Sequence, residues 1–144
     1  MEGHLSSVWQ LDFDATGNYL CSCSEDKTWS IWQIQQKDFE NKGIIPNCHM
    51  RSIYTISWSK NPKSDSSDDA VDLIATGSAD NRICVFDISR ASVMDENNQS
   101  FEYNIIVQKN MAHINDINCV EFCPDDPYLL ASCADDGLIK LWKI

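Results

Sequence analysis

The sequence predicts an all-β fold built from three copies of one antiparallel unit, and three observations carry that prediction. Its only histidines, His4, His49 and His113, are each followed nine positions later by an aromatic, Phe13, Trp58 and Phe122. The stretches between, SSVWQLDF, RSIYTISW and NDINCVEF, end in the apolar–polar alternation of strands. Downstream, LCSCSED, IATGSAD and LASCADD each close on an aspartate, Asp26, Asp80 and Asp136. A hydroxyl stands four residues before each aspartate (Ser22, Thr76, Ser132) and an aromatic six after it (Trp32, Phe86, Trp142). Three copies of one ordered set mark a structural repeat, with units at 3–47, 48–109 and 112–144.

Within the first unit the pattern predicts strands near 8–13, 19–24 and 28–33. Asp14-Ala15-Thr16-Gly17-Asn18 supplies the first turn, and Glu25-Asp26-Lys27 the second. A fourth strand is expected around 43–47, and its counterpart in the second unit around 102–108. The third unit reaches only Leu141-Trp142-Lys143-Ile144, which leaves three strands. Three polar stretches, QIQQKDFENK, KNPKSDSSDDAVD and ISRASVMDENNQS, read as solvated loops sharing one rim. The second of these concentrates Asp65, Asp68, Asp69 and Asp72 in the acidic insertion at 61–72, beside the candidate phosphorylation sites Ser66 and Ser67. The opposite rim holds the histidine loops and the aspartate turns.

Composition narrows the function classes. Lys plus Arg number 11 against 22 for Asp plus Glu, a formal charge of -11. Nucleic acid and anionic membrane both demand clustered cations, so neither is expected as a partner. No apolar run approaches a membrane span, and MEGHLSSVWQ reads as no secretory leader. Seven cysteines, an odd number, are then expected as free thiols of a reducing compartment. Cys21 aligns with Ala75 and Ala131, and Cys23 and Cys133 align with Gly77. These are small-residue slots, so packing rather than metal ligation is the reading, and no cofactor is expected. Cys48 and Cys123 lie nearer loops and stand out as the more reactive thiols.

The Gly3-His4 pair, the S-x-S-x-D of the first unit and the terminal aromatics resemble WD40 repeats over nearly the whole chain. That resemblance implies a β-propeller, here three consecutive blades with the last lacking its outer strand. It also implies a hydrogen-bonded tetrad in each blade: His4, Ser22, Asp26 and Trp32; His49, Thr76, Asp80 and Phe86; His113, Ser132, Asp136 and Trp142. Phe86 has no N–H to donate, so the second tetrad is expected to be truncated. Cys48 and Ala112 stand where the first unit has Gly3.

Stretches such as EGHLSSVWQLDF, RICVF, AHINDINCVEFCP and LLASCADDG are further similar to the C-terminal three repeats of the cytosolic iron–sulfur protein assembly WD40 family. Trp29, where a small or aliphatic residue is usual, departs from the pattern. The resemblance implies a non-catalytic cytoplasmic adaptor, also nuclear, in a complex that delivers preassembled clusters to apoproteins. Its partners would be the other subunits of that targeting complex and its apoprotein clients. In closed propellers of this kind the outer strand missing from the last blade comes from the N-terminus.

WD40 proteins commonly recruit partners on the rim of the histidine loops. The positions expected to surface there are Ser7, Trp9 and Glu25; Ser52, Tyr54 and Ala79; and Asp116, Asn118 and Asp135. Competing readings are an unrelated WD40 scaffold of the substrate-receptor or chromatin-assembly type, a thiol metal site, and a hydrolase using the recurring Ser, His and Asp. Three blades of a ring that ordinarily needs about four to eight expose two apolar faces, so the isolated chain is expected to self-associate or to require complementary blades.

Overall fold

In the computed structural model, described for residues 3–35, 38–60, 72–90 and 101–144 (side chains of 89 and 90 apart), three antiparallel meanders stand side by side. The first runs β1 (Val8–Phe13), β2 (Tyr19–Ser24), β3 (Trp29–Gln35) and β4 (Asp38–Ile45) in spatial order. The second runs β5 (Ile53–Trp58), β6 (Leu73–Ser78), β7 (Ile83–Arg90) and β8 (Phe101–Lys109). The third contains β9 (Ile117–Cys123), β10 (Asp126–Ala134) and β11 (Ile139–Lys143).

Two hairpin arms differ from the sequence expectation. QIQQKDFENK is mostly strand, because β3 runs to Gln35 and β4 starts at Asp38 rather than near 43. Ile34 opposite Phe39, with Gln35 Nε2 donating to Glu40 at 3.0 Å, extends the ladder through a stretch that looks like a polar loop. Likewise β7 reaches Arg90 and β8 begins at Phe101, which shortens the connection read as ISRASVMDENNQS. Most of the acidic insertion, with Asp65, Ser66, Ser67, Asp68 and Asp69, lies outside the described residues, whereas Asp72 lies within them.

Packing between sheets explains why the middle strands lose their alternation. Every residue of β6 is buried, since Ile74 joins the core against the first sheet while Leu73 and Ala75 join the core against the third. Buried on both faces, a strand reads as a continuous apolar or small run. Cys21 and Cys23 are fully buried between the first two sheets. A Cβ on Gly77 would come within 2.7 Å of Ile117 and of Thr55, so this slot tolerates only a very small residue. In the third sheet the aligned Cys133 faces an uncovered surface and is only partly buried.

Side chains on the inner strands bond backbone of the next sheet. Gln10 Oε1 accepts from Ile56 N–H at 3.2 Å, and Asp12 Oδ2 from Trp58 N–H at 2.8 Å. One sheet on, Thr55 Oγ1 accepts from Val120 N–H at 2.9 Å, and Ser57 Oγ from Phe122 N–H at 3.1 Å. The two interfaces therefore use the same register. Each innermost strand would otherwise leave those N–H groups unpaired at a buried edge, which is costly.

The two cores differ in one respect. Trp29, fully buried, meets Phe86 of the second sheet at a ring-centroid distance of 4.8 Å. The corresponding positions in the other core are Ile83 and Trp142. One interface thus combines a large Trp29 with the smaller Phe86, and the other a small Ile83 with the larger Trp142. Close-packed interiors require such volume matching. Trp29→Ile is expected to destabilise by about 2–4 kcal/mol through a cavity, and Phe86→Trp by about 1–3 kcal/mol through overpacking. The double variant should recover at least about 1 kcal/mol of the sum in urea melts; strict additivity would refute the volume matching.

Candidate functional site: the rim of the histidine loops

Each unit places its histidine in the loop entering the inner strand and its aspartate in the turn after the second strand. Left-handed backbone follows each aspartate, at Lys27, Asn81 and Gly137, with φ of 70, 67 and 76°. The aspartate side chain stabilises that turn by accepting the backbone N–H two residues on, from Thr28, Arg82 and Leu138. Its other contacts reach across to the histidine loop. His4 Nδ1 lies 3.1 Å from Asp26, His49 Nδ1 3.1 Å from Asp80, and His113 Nδ1 2.9 Å from Asp136. The residue after each histidine donates its N–H to the same carboxylate: Leu5 at 2.7 Å, Met50 at 2.8 Å and Ile114 at 3.2 Å.

On its far side the imidazole meets the hydroxyl. The Nε2–oxygen distance is 2.7 Å for His4–Ser22, 2.8 Å for His49–Thr76 and 2.8 Å for His113–Ser132. Trp32 and Trp142 complete two of the sets, each giving its indole N–H to the serine Oγ at 2.8 Å. An indole can only donate and a carboxylate can only accept, which orients the chain. Serine accepts from tryptophan and donates to Nε2, and the Nδ1–H donates to aspartate. Phe86 has no such hydrogen, so Thr76 lacks an indole donor. Gly3 is demanded by contact: a Cβ there would run into the Trp32 ring.

Burial alone would raise the three carboxyl groups. The hydrogen bonds to Asp26 from Thr28 and Leu5, and to Asp80 and Asp136 from His49 and His113, outweigh it and hold all three below the ordinary aspartate value. Ser22, Thr76 and Ser132 are buried, and the two serines are already engaged by indole N–H groups. The hydroxyl, His and Asp of each unit therefore form a loop-to-turn tie.

Six of the nine rim positions are joined in pairs by a second repeated contact. The residue before the aspartate donates its N–H to the carbonyl three after the histidine: Glu25 to Ser7 at 2.9 Å, Ala79 to Ser52 at 3.0 Å and Asp135 to Asp116 at 3.0 Å. Five of the nine side chains, Trp9, Tyr54, Asp116, Asn118 and Asp135, line one cleft of about 420 Å³. Trp9 stands edge-on to Tyr54 at 5.5 Å and 89°. Ser7 and Glu25 are exposed and Ser52 partly so, outside that cleft. Ala79 does not surface: it is buried, and Arg51 folds over it to donate to its carbonyl at 2.6 Å.

One rim feature escapes the nine positions. The residue after each histidine is apolar and exposed: Leu5 at 97%, Met50 at 69% and Ile114 at 71%. The sequence signal was there, an apolar residue following all three histidines, but alignment on chemistry-bearing positions passes over it.

The thiols divide by burial. Cys48, expected among the reactive ones, is instead buried against Cys84, and burial pushes its pKa up to about 12. Its loop is covered by the first sheet's core, which the local sequence does not reveal. Burial likewise raises Cys23 and Cys84 to about 12 and lifts Cys21 well above the usual thiol value. Cys123 is half-buried. Among the described residues, no three or more His, Cys, Asp or Glu side chains are grouped to hold a metal ion. No helix among them is long and apolar enough to cross a membrane.

Residues 1–33, 43–87 and 106–143 match the family described as WD domain, G-beta repeat. The chain belongs to the WD40 repeat family. Its three sheets are WD40 blades, of four, four and three strands among the described residues. The chain is also 34% identical, over 97% of its length, to a probable cytosolic iron-sulfur protein assembly protein Ciao1 of Aedes aegypti. A protein of the same name from Culex quinquefasciatus is 34% identical over 99% of the chain. Protein CIA1 of Arabidopsis thaliana is 37% identical over 67% of the chain and 24% of its own length. The chain spans about two fifths of the two insect relatives, 41% and 42%.

Two predictions follow from the ties. Ser132→Ala removes the acceptor of Trp142 and the partner of His113, and should cost about 1–3 kcal/mol in urea melts. Depressed carboxyl groups stabilise the fold fully above their unfolded value and lose that contribution as pH falls through the folded one. The urea midpoint should therefore decline steeply below about pH 4, and Asp80→Asn should flatten that decline from a lower starting stability.

Proposed function

We propose that this chain forms part of a non-catalytic adaptor in cytosolic iron–sulfur protein assembly. In this role it holds protein partners together while preassembled clusters pass to cytosolic and nuclear apoproteins. The observation that carries the reading is the 34% likeness to the insect Ciao1 proteins across nearly the whole chain. The repeated ties support it, because they spend the reactive-looking groups on fixing loops to turns and leave a rim of stable shape. Cys23, Cys48 and Cys84, buried and with raised pKa values, make poor cluster ligands, which supports a reading in which partners and clients carry the cluster.

The rim of the histidine loops, with Ser7, Trp9, Glu25, Ser52, Tyr54, Asp116, Asn118 and Asp135, is the partner surface in this reading. Tagged full-length protein should recover the other subunits of a cluster-targeting complex from cytosol, and recovery of none would overturn the adaptor role. The outer faces of the first and third blades carry Leu11 and Phe13, and Ile139 and Leu141, all more than half exposed. Burying such faces is strongly favourable. The chain alone is therefore expected to self-associate or to pair with complementary blades. Sedimentation should show concentration-dependent species; a monodisperse monomer that melts cooperatively would overturn this.

A further inference from the structure

We propose that the rim cleft receives an arginine side chain presented by a partner protein, with apolar neighbours of that arginine resting on the exposed residues after the histidines. The proposal rests on the reading of this rim as the partner surface and names the chemistry of what it binds.

The cleft joins an aromatic wall to an acidic one. Trp9 is 52% exposed although its edge-to-face contact with Tyr54 fixes its position. A half-exposed indole held in place offers a flat face on which a guanidinium can stack. Across the cleft stand the carboxylates of Asp116 and Asp135. Asn118 Nδ2 donates to Asp135 Oδ1 at 2.5 Å, which orients that carboxylate and leaves its second oxygen to accept. The backbone bond from Asp135 to Asp116 holds the two carboxylate-bearing residues together. Two acceptors beside a π face match the fork of donors on arginine better than the point charge of lysine.

Charge argues against an acidic partner segment. An acidic segment would bring like charge against two aspartates and a chain of net charge -11. Among the described residues, the cation that reaches the cleft is Arg51, whose Nη1 lies 3.4 Å from Asp116 while its side chain remains 61% exposed. It already occupies part of the acidic wall, so a ligand arginine competes with it. On the same rim, in the histidine loops, Leu5, Met50 and Ile114 present one exposed apolar side chain per blade. Their backbone N–H groups are tied to the aspartates, so these side chains are held outward. Aromatic anchors and exposed apolar side chains on one rim are the kind of contacts that concentrate binding energy at protein interfaces.

The test is calorimetric titration of the full-length protein with capped pentapeptides having a central arginine, lysine or glutamate between leucines. The arginine peptide should bind tightest, the lysine peptide more weakly and the glutamate peptide not measurably. Trp9→Ala and Asp135→Asn should each weaken the arginine peptide about tenfold or more, and added salt should weaken it further. Arg51→Ala should strengthen it by removing the competitor. Both Trp9 and Asp135 are exposed, so circular dichroism melts should stay close to wild type. Equal or tighter binding of the glutamate peptide overturns the proposal, as does arginine-peptide binding that ignores both substitutions. The adaptor reading fails separately, when full-length protein recovers no targeting subunits. The rim reading fails when Leu5→Ser and Met50→Ser leave that recovery unchanged.

Discussion

The rim of the histidine loops hangs from a buried histidine that must find two partners. An imidazole removed from water needs an acceptor at one nitrogen and a donor at the other. In each blade these come from an aspartate on one side and a hydroxyl on the other, at 2.7–3.2 Å. The same carboxylate closes its own turn and accepts the N–H after the histidine. One side chain therefore fixes a left-handed turn, a loop entry and an imidazole together. With loop and turn locked, the inner strand enters in a fixed register, and its side chains can reach backbone N–H groups of the next sheet.

The second blade tests how much of that tie the indole supplies. With Phe86 in place of tryptophan the loop still meets the turn, since His49 keeps both Asp80 and Thr76. Phe86 is released to fill space against Trp29 instead. The departures at 29 and 86 are therefore one adjustment, visible only when the two blades face each other. Compensation of this sort is expected in interiors packed like organic crystals.

The proposed recognition role rests on what the ties leave over. Because hydroxyls, imidazoles and carboxylates are occupied with one another, the rim's chemistry passes to residues beside them. Trp9, Tyr54, Asp116, Asn118 and Asp135 come from three blades and meet in one cleft, an arrangement no single repeat contains. A surface assembled in this way suits recognition, where several modest contacts add up, more than catalysis, where a few groups must be free to react.

The repeat and the strand order within each unit were legible in the sequence, because periodicity and turn chemistry are local properties; that the recurring residues form ties was implied by the WD40 resemblance. Also legible were the small slots of Cys21 and Cys23, which alignment with Ala75 and Gly77 exposes. What happens between blades was not legible. The burial of Cys48 and of Ala79, the pairing of Trp29 with Phe86, and the use of Gln10, Asp12, Thr55 and Ser57 as acceptors all depend on which face meets a neighbour. The long β3–β4 arm was missed because cross-strand pairs, rather than apolar runs, hold it. By itself the sequence determined the unit, since one buried histidine per repeat dictates its own partners. The tertiary structure alone decided which units share a core and which rim residues share a cleft, because those distances arise only when rigid sheets pack face to face.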